Sequence, residues 1–127
     1  MIAADTSTWV SFLGGEPGED VEMLLRTLKD KQAVMVPVVL CELLSAPEIS
    51  PSAAKMLVSL PLAETTPGYW ERAGLLRARV LSKGRRARLG DALITQCCVD
   101  LDIGLIARDR DFRAFSDAAG LRLLIPF

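Results

Sequence analysis

The sequence predicts an α/β fold in which helices cover both faces of a mostly parallel sheet. Short apolar runs that favour strands alternate with longer segments of helical spacing. Half of the 127 residues are hydrophobic and only 6% are aromatic, so aliphatic side chains are expected to fill the core. No repeat, linker or low-complexity segment is visible, and residues 1–127 are therefore predicted to form a single domain.

The first half of the chain contains two predicted strands and three predicted helices. Residues 2–5 are an apolar run that ends at a polar turn, which indicates a short buried strand, and the helix predicted over 6–13 closes at two glycines. Residues 21–28 have helical spacing, with acids ahead and lysines behind, as the helix dipole favours. Residues 33–36 favour a strand, and Pro37 suits the first turn of a helix through residue 45.

Prolines and glycines mark the elements of the second half. Ser50 and Pro51 begin a helix to about Leu60, and Pro67 opens a long helix to about Ser82. Gly90 and Asp91 precede a helix predicted over 92–100. The other predicted elements are strands at 62–65, 103–107 and 121–125 and a short helix at 112–118.

Four acids occupy related places in this pattern: Asp5, Glu42, Asp91 and Asp109. Parallel strands end at one edge of a sheet, where ligands bind. Asp5 ends the first strand, and Asp109 follows the strand at 103–107. The preceding helix and this strand span about 15 Å and about 16 Å in opposite directions, so Asp91 and Asp109 should lie at one level. We therefore expect the four carboxylates to converge.

Each acid also has a simpler explanation. Asp5, Asp91 and Asp109 are all placed where they could cap a helix. Glu42 fits capping badly, because its neighbours are nearly all apolar, and it is expected to be partly buried and to need a partner. Together the acids favour a metal site more than any one of them does.

Oxygen ligands without histidine suit Mg²⁺ or Mn²⁺, and one or two such ions can promote phosphodiester hydrolysis. The chain has no histidine, which excludes Ser-His-Asp and Cys-His catalysis, and it has no P-loop. Its cysteines are Cys41, Cys97 and Cys98, an odd number without metal-ligand spacing. They are expected to be reduced core residues of a soluble, cytoplasmic protein with no membrane span.

The net charge is −1, but a basic segment, residues 72–88, leads towards Asp91. A solvated helix face would explain much of it. The loop that ends the segment would nevertheless place guanidinium groups beside the acids, where they could bind an RNA backbone. The residues concerned are Arg85, Arg86 and Arg88.

Four stretches carry a resemblance to a known family: Ile-Ala-Ala-Asp-Thr-Ser-Thr-Trp at the start, Val-Leu-Cys-Glu-Leu-Leu, Leu-Gly-Asp-Ala-Leu-Ile, and Leu-Ile-Ala-Arg-Asp-Arg-Asp-Phe. The chain resembles a PIN domain, and more narrowly the VapC-type toxins of toxin–antitoxin modules. The resemblance implies a three-layer α/β/α sandwich and a metal-dependent endoribonuclease that acts as a toxin. It also implies inhibition by a cognate antitoxin protein and homodimerisation.

The resemblance also assigns residues by matching position. Asp5, Glu42 and Asp91 would be catalytic metal ligands, and Ser7 would support Asp5 or a metal-bound water. Asp109 is favoured as the fourth acid because it lies closer to the strand end, and Asp111 is the alternative.

Two other functions compete with the nuclease. A non-catalytic module could bind a protein partner or RNA without cutting it. A phosphate-accepting receiver domain would need adjacent acids after the first strand, where this chain has Thr6 and Ser7. The RNA target and the antitoxin cannot be identified from the sequence.

Overall fold

The structure is a computed structural model that describes residues 1–124. Two strands and seven helices are formed within this part of the chain. In chain order they are β1 (Ile2–Ala4), α1 (Thr6–Leu13), α2 (Glu19–Lys29), α3 (Pro37–Leu44), α4 (Pro51–Ser59), α5 (Tyr69–Ser82), α6 (Leu89–Asp100), β2 (Gly104–Ile106) and α7 (Phe112–Ala119).

The central sheet is parallel, as predicted. Strands β1 and β2 pair with Ala3 opposite Leu105. Isolated parallel bridges extend the pairing on both sides, joining Ile2 to Ala33, Met35 to Leu62, and Leu105 to Leu123. The order across the sheet is therefore residue 62, residues 33–35, β1, β2 and residue 123, with helices around it.

Three of the predicted strands are reduced to these bridges in the described part of the chain. Residues 33–36 form two isolated bridges and residues 62–65 form one, instead of continuous ladders. Pro37 starts α3 directly after the first of these segments, and Pro61 precedes the second. Because proline has no backbone N–H, neither residue can donate the hydrogen bond that would extend the ladder. The third, predicted over 121–125, is bridged at Leu123, and its last residue lies outside the described residues.

The helices form two packed groups. Helix α1 packs against α2 and α3, while α5, α6 and α7 pack on one another. The main core surrounds the sheet and contains Trp9, Leu105 and Phe112, and a smaller core centred on Leu76 and Phe115 lies among α5, α6 and α7. Burying one such side chain contributes about 1.5–3 kcal/mol, which makes these clusters the main source of stability. No helix within residues 1–124 has both the length and the apolar character needed to cross a bilayer.

The prediction of three core cysteines is correct for two of them. Cys97 and Cys98 are free and buried in α6, but Cys41 is exposed. On α3 the inward positions are those of Val39 and Leu43, so Cys41 lies on the solvent side of the helix.

Candidate metal centre

A cavity of about 390 Å³ lies where β1 and β2 end. Asp5, Glu42, Asp91 and Asp109 all line it, together with Ser7 and Arg88. Residues that are up to about a hundred positions apart in the chain thus share one pocket. The fold brings together the four acids predicted from the sequence.

Asp5 is held rigidly at the end of β1. It is only 2% exposed, its Oδ1 accepts a hydrogen bond from the Thr8 backbone N–H (2.9 Å), and its Oδ2 accepts one from Ser7 Oγ (2.9 Å). Burial raises the pKa of this carboxyl, and the hydrogen bonds partly offset the rise. Asp5 therefore caps α1 and also lines the cavity, so a capping role and a metal-binding role are compatible for this residue.

Asp91 does not cap a helix. Helix α6 begins at Leu89, earlier than predicted, and its N-cap is Arg88, so Asp91 lies in the first turn with its carboxylate turned to the cavity. Its Oδ2 is buried and has no hydrogen-bond partner among the described residues. Burial, followed by the charge of Asp109, raises the pKa of Asp91 to about 6. A buried, unpaired carboxylate oxygen is costly, which indicates a missing cationic partner.

Asp109 and Asp111 both lie beside Asp91. One carboxylate oxygen from each of the three acids lies within 4.8 Å of the others. Asp109 Oδ1 accepts a hydrogen bond from the Asp111 backbone N–H at 2.9 Å, which stabilises the turn before α7. Asp109 lines the cavity, but both acids remain candidates for the fourth ligand.

Glu42 lines the cavity as predicted, but it is not partly buried. Its side chain is exposed, whereas its apolar neighbours suggested partial burial. Val39 and Leu43 form the buried face of α3, and Glu42 lies on another face, at the mouth of the cavity. There its Oε1 accepts a hydrogen bond from Thr6 Oγ1 at 2.9 Å.

The three arginines of the 85–88 loop form ion pairs around the acids. Arg88 Nη1 lies 3.7 Å from Asp109 Oδ2, and Arg86 Nη1 lies 3.9 Å from Asp111 Oδ2. Arg85 pairs farther out, with Asp117 at 3.0 Å. These long or exposed contacts contribute little to stability and leave the guanidinium groups accessible.

Other arginines of the basic segment have structural contacts. Arg72 makes a bidentate pair with Asp100 through Nε (3.1 Å) and Nη2 (2.7 Å). Arg77 Nε donates to the Ala87 carbonyl at 2.8 Å. The segment is therefore less of a continuous basic surface than its composition suggested.

The sequence did not single out Asp20 as a site residue. It is 6% exposed and accepts hydrogen bonds from Arg108 Nε (2.8 Å) and from Thr8 Oγ1 (3.0 Å). Burial alone would raise the pKa of Asp20, but the hydrogen bonds from Arg108 and Thr8 lower it overall. In the sequence this residue sits among exposed acids, and no local signal distinguishes it.

The donor set fits a hard divalent cation. Every candidate ligand atom is a carboxylate oxygen, three of them are close enough to share one ion, and Asp91 Oδ2 lacks any other partner in residues 1–124. Mg²⁺ and Mn²⁺ bind such oxygens and relieve the repulsion between neighbouring carboxylates.

Comparisons with solved structures identify the same fold in several complexes. The chain matches a chain of VapBC2 from Rickettsia felis, bound to a DNA fragment from their promoter, with a TM-score of 0.72, 20% identity and 97% coverage of each chain. It matches FitAcB from Neisseria gonorrhoeae with a TM-score of 0.69, 17% identity and coverage of 99% and 98%. It matches VapBC-5 from Mycobacterium tuberculosis with a TM-score of 0.69, 20% identity and 98% coverage of each chain. No curated protein matches the sequence.

The family model of the PIN domain matches residues 2–118, nearly the whole chain. The matched region contains every acid that lines the cavity. PIN domains are generally nucleases. The chain belongs to the PIN domain family.

Proposed function

We propose that this protein is a divalent-metal-dependent endoribonuclease, a hydrolase that cleaves RNA phosphodiester bonds. The observation that carries the proposal is the convergence of Asp5, Asp91 and Asp109 on one cavity, where Asp91 Oδ2 is buried with no partner in the described residues. A receiver domain is no longer a competitor, because the chain belongs to the PIN family.

Asp91 and Asp109 would hold the cation together, because their carboxylate oxygens lie within 4.8 Å of each other and of Asp111, the alternative fourth acid. Asp5 and Glu42 line the same cavity and would hold the cation directly or through water. When bound, Mg²⁺ or Mn²⁺ supplies an activated water and positive charge at the leaving oxygen. Hydrolysis forms a bond from the water oxygen to phosphorus and breaks the bond to the leaving oxygen, which takes up a proton.

The chain's own residues would orient the reacting groups. Ser7 and the Thr8 backbone N–H fix the carboxylate of Asp5 through two hydrogen bonds. Arg88, on the cavity wall, is placed to bind a non-bridging phosphate oxygen, and Arg85 and Arg86 would bind neighbouring phosphates. The proposed substrate is single-stranded or loop RNA.

We further propose that the protein is the toxin of a toxin–antitoxin pair, that it acts in the cytoplasm, and that its protein partner is a cognate antitoxin. Support comes from the matched chains, which belong to VapBC and FitAcB complexes. A homodimer is also proposed. Large apolar side chains are exposed on each of the helices α1 to α6, among them Leu44 (41%), Trp70 (66%) and Leu89 (58%), and a second copy would cover some of them.

The test is cleavage of a single-stranded RNA with Mg²⁺ or Mn²⁺, with and without EDTA. Asp91→Asn should lower the rate by more than the roughly 10–100-fold that outer-shell changes cost, because it removes a direct ligand. Asp5→Asn should do the same, although Asp5 also caps α1 and this variant needs a folding check.

Asp102→Asn is the matched control. It is the same chemical change at the other end of β2, on a side chain that is 95% exposed, and its φ of 53° suits Asn as well as Asp. Asp102→Asn should cleave like the parent. Undiminished cleavage by a folded Asp91→Asn variant would contradict the proposal, and metal-independent RNA binding without cleavage would favour the non-catalytic module.

A further inference from the structure

A second ion pair lies directly behind the candidate metal centre. Arg108 follows β2 and reaches across to Asp20 in the first turn of α2, 88 residues away in the chain. Its Nε donates to Asp20 Oδ2 at 2.8 Å and its Nη2 donates to Asp20 Oδ1 at 2.9 Å. Two parallel, charge-assisted bonds fix the direction of both side chains more strongly than a single contact would.

The backbone just before α2 lies very close to this ion pair. A Cβ atom on Gly18 would lie 2.5 Å from Arg108 Nη2 and 2.5 Å from Asp20 Oδ1. Arg108 Nη2 also donates to the Pro17 carbonyl at 3.2 Å. The segment before α2 is therefore folded tightly around the pair.

Thr8 connects the pair to Asp5. Its backbone N–H donates to Asp5 Oδ1 (2.9 Å), while its Oγ1 donates to Asp20 Oδ2 (3.0 Å). Thr8 is fully buried, so neither bond competes with water. Asp5 is thus held by a residue that also contacts the ion pair.

The pair is connected to Asp109 through the main chain. Arg108 immediately precedes Asp109, and its side chain is fixed against α2 by Asp20. Fixing the side chain of Arg108 limits the conformations open to the next residue.

We infer that Asp20 and Arg108 form a positioning pair that holds Asp5 and Asp109 in the orientation a divalent cation requires. This inference rests on the proposed function. Neither residue lines the cavity, so both act through their neighbours. Partners of metal ligands typically affect metal affinity in this way.

The experiment measures Mn²⁺ affinity by titration calorimetry for the full chain and for Arg108→Gln. The expected result is a roughly 10–100-fold weaker Kd, as for other outer-shell changes. The control is Arg72→Gln, which removes the arginine of the Arg72–Asp100 pair. That pair has nearly the same geometry and exposure but does not contact the cavity. Its Mn²⁺ affinity should equal that of the parent.

Thr8 provides a test that leaves the ion pair intact. Thr8→Val keeps the shape of the side chain but removes the donor to Asp20, and it should weaken Mn²⁺ binding. Thr8→Ser keeps the hydroxyl and should restore most of the affinity. A structural role alone would make both variants less stable without separating their Mn²⁺ affinities.

The possible failures can be distinguished. If the parent binds no Mn²⁺, or if Asp91→Asn binds it as the parent does, the proposed function and the inference both fail. If the parent binds and Asp91→Asn does not, then parental affinity in Arg108→Gln or Thr8→Val overturns the inference alone. Equal weakening in Arg72→Gln and Arg108→Gln would also overturn it, because the effect would then reflect loss of stability.

Discussion

Two bidentate ion pairs lie within residues 1–124, and their geometry and exposure are nearly identical. The arginine and aspartate side chains are 37% and 8% exposed in Arg108–Asp20, and 40% and 11% exposed in Arg72–Asp100. In each pair Nε and Nη2 contact the two carboxylate oxygens. Burial tends to raise the pKa of both aspartates, but the hydrogen bonds from their arginines and other partners lower it overall.

The pairs differ in what else the aspartate contacts. Asp100 accepts further hydrogen bonds from Gln96 in its own helix α6 (2.8 Å) and from Thr66 just before α5 (3.3 Å), and none of these residues lines the cavity. Asp20 instead accepts a hydrogen bond from Thr8, and the backbone N–H of Thr8 donates to Asp5, the N-cap of α1. The same chemical unit therefore stabilises a helix interface in one place and orients a candidate metal ligand in the other. Its role depends on its third partner.

Alanine at the glycine beside each pair should give the largest effect. Gly18 has φ 157° and Gly68 has φ 83°, and a Cβ on Gly68 would lie 2.6 Å from Arg72 Nη1. In both variants the backbone is strained and an arginine held by two hydrogen bonds must move. We expect the free energy of unfolding to fall by about 2–4 kcal/mol in each, measured by urea denaturation.

Only Gly18→Ala should also weaken Mn²⁺ binding. Gly120→Ala provides a reference for backbone strain alone, because Gly120 has φ 72° and open space around its Cβ position. It should cost about 1–2 kcal/mol. A cost no greater than this in Gly18→Ala would show that the Arg108–Asp20 pair is not tightly packed.

The pH response should separate the acids of the cavity from those of the ion pairs. Because the pKa of Asp91 is raised to about 6, the folded chain binds more protons than the unfolded chain between pH 3.8 and 6. The contribution of Asp91 to the free energy of unfolding is therefore present at low pH and is lost as the pH rises through about 6. The metal-free protein should therefore become more stable when the pH falls from 7.5 to 5, as measured by thermal unfolding in EDTA.

Mn²⁺ affinity should change in the opposite sense, because protons compete with the metal for the carboxylates. It should fall as the pH drops through about 6. The pKa values of Asp20 and Asp100 are lowered from 3.8, so their contributions are lost only below that range and do not obscure the trend. In Asp91→Asn the stability gain on acidification should shrink. If the increase in stability on acidification were the same in Asp91→Asn as in the parent, it would have to come from other groups, such as Asp5.

The smallest effect is expected at the Arg85–Asp117 pair. Its Nη1–Oδ2 distance is 3.0 Å, but the side chains are 43% and 64% exposed. Asp117→Asn should change the free energy of unfolding by less than about 1 kcal/mol, and added salt should reduce even that difference. A larger decrease in the free energy of unfolding would contradict the explanation that the Arg85–Asp117 pair contributes little because it is exposed.

Local pattern was sufficient for most of the fold and for the list of acids. Helix positions follow from apolar spacing and from Pro37 and Pro51 at first turns, and these signals act within a few residues of each other. The parallel order and the shared strand edge then predicted that Asp5, Asp91 and Asp109 would meet. That residues 1–127 form one domain, and that these acids are catalytic, remain predictions.

The tertiary structure decided what those residues contact. Glu42 is exposed although its neighbours are apolar, because Val39 and Leu43 form the buried face of α3 and Glu42 lies on another face, at the cavity mouth. Arg72 belongs to the basic segment but is bound to Asp100, and Asp20 belongs to a run of acids but is buried against Arg108. Such pairings join residues 28 and 88 positions apart. A sequence records the charge of each partner, but only the packing of distant elements determines which partner it meets and how much water remains between them.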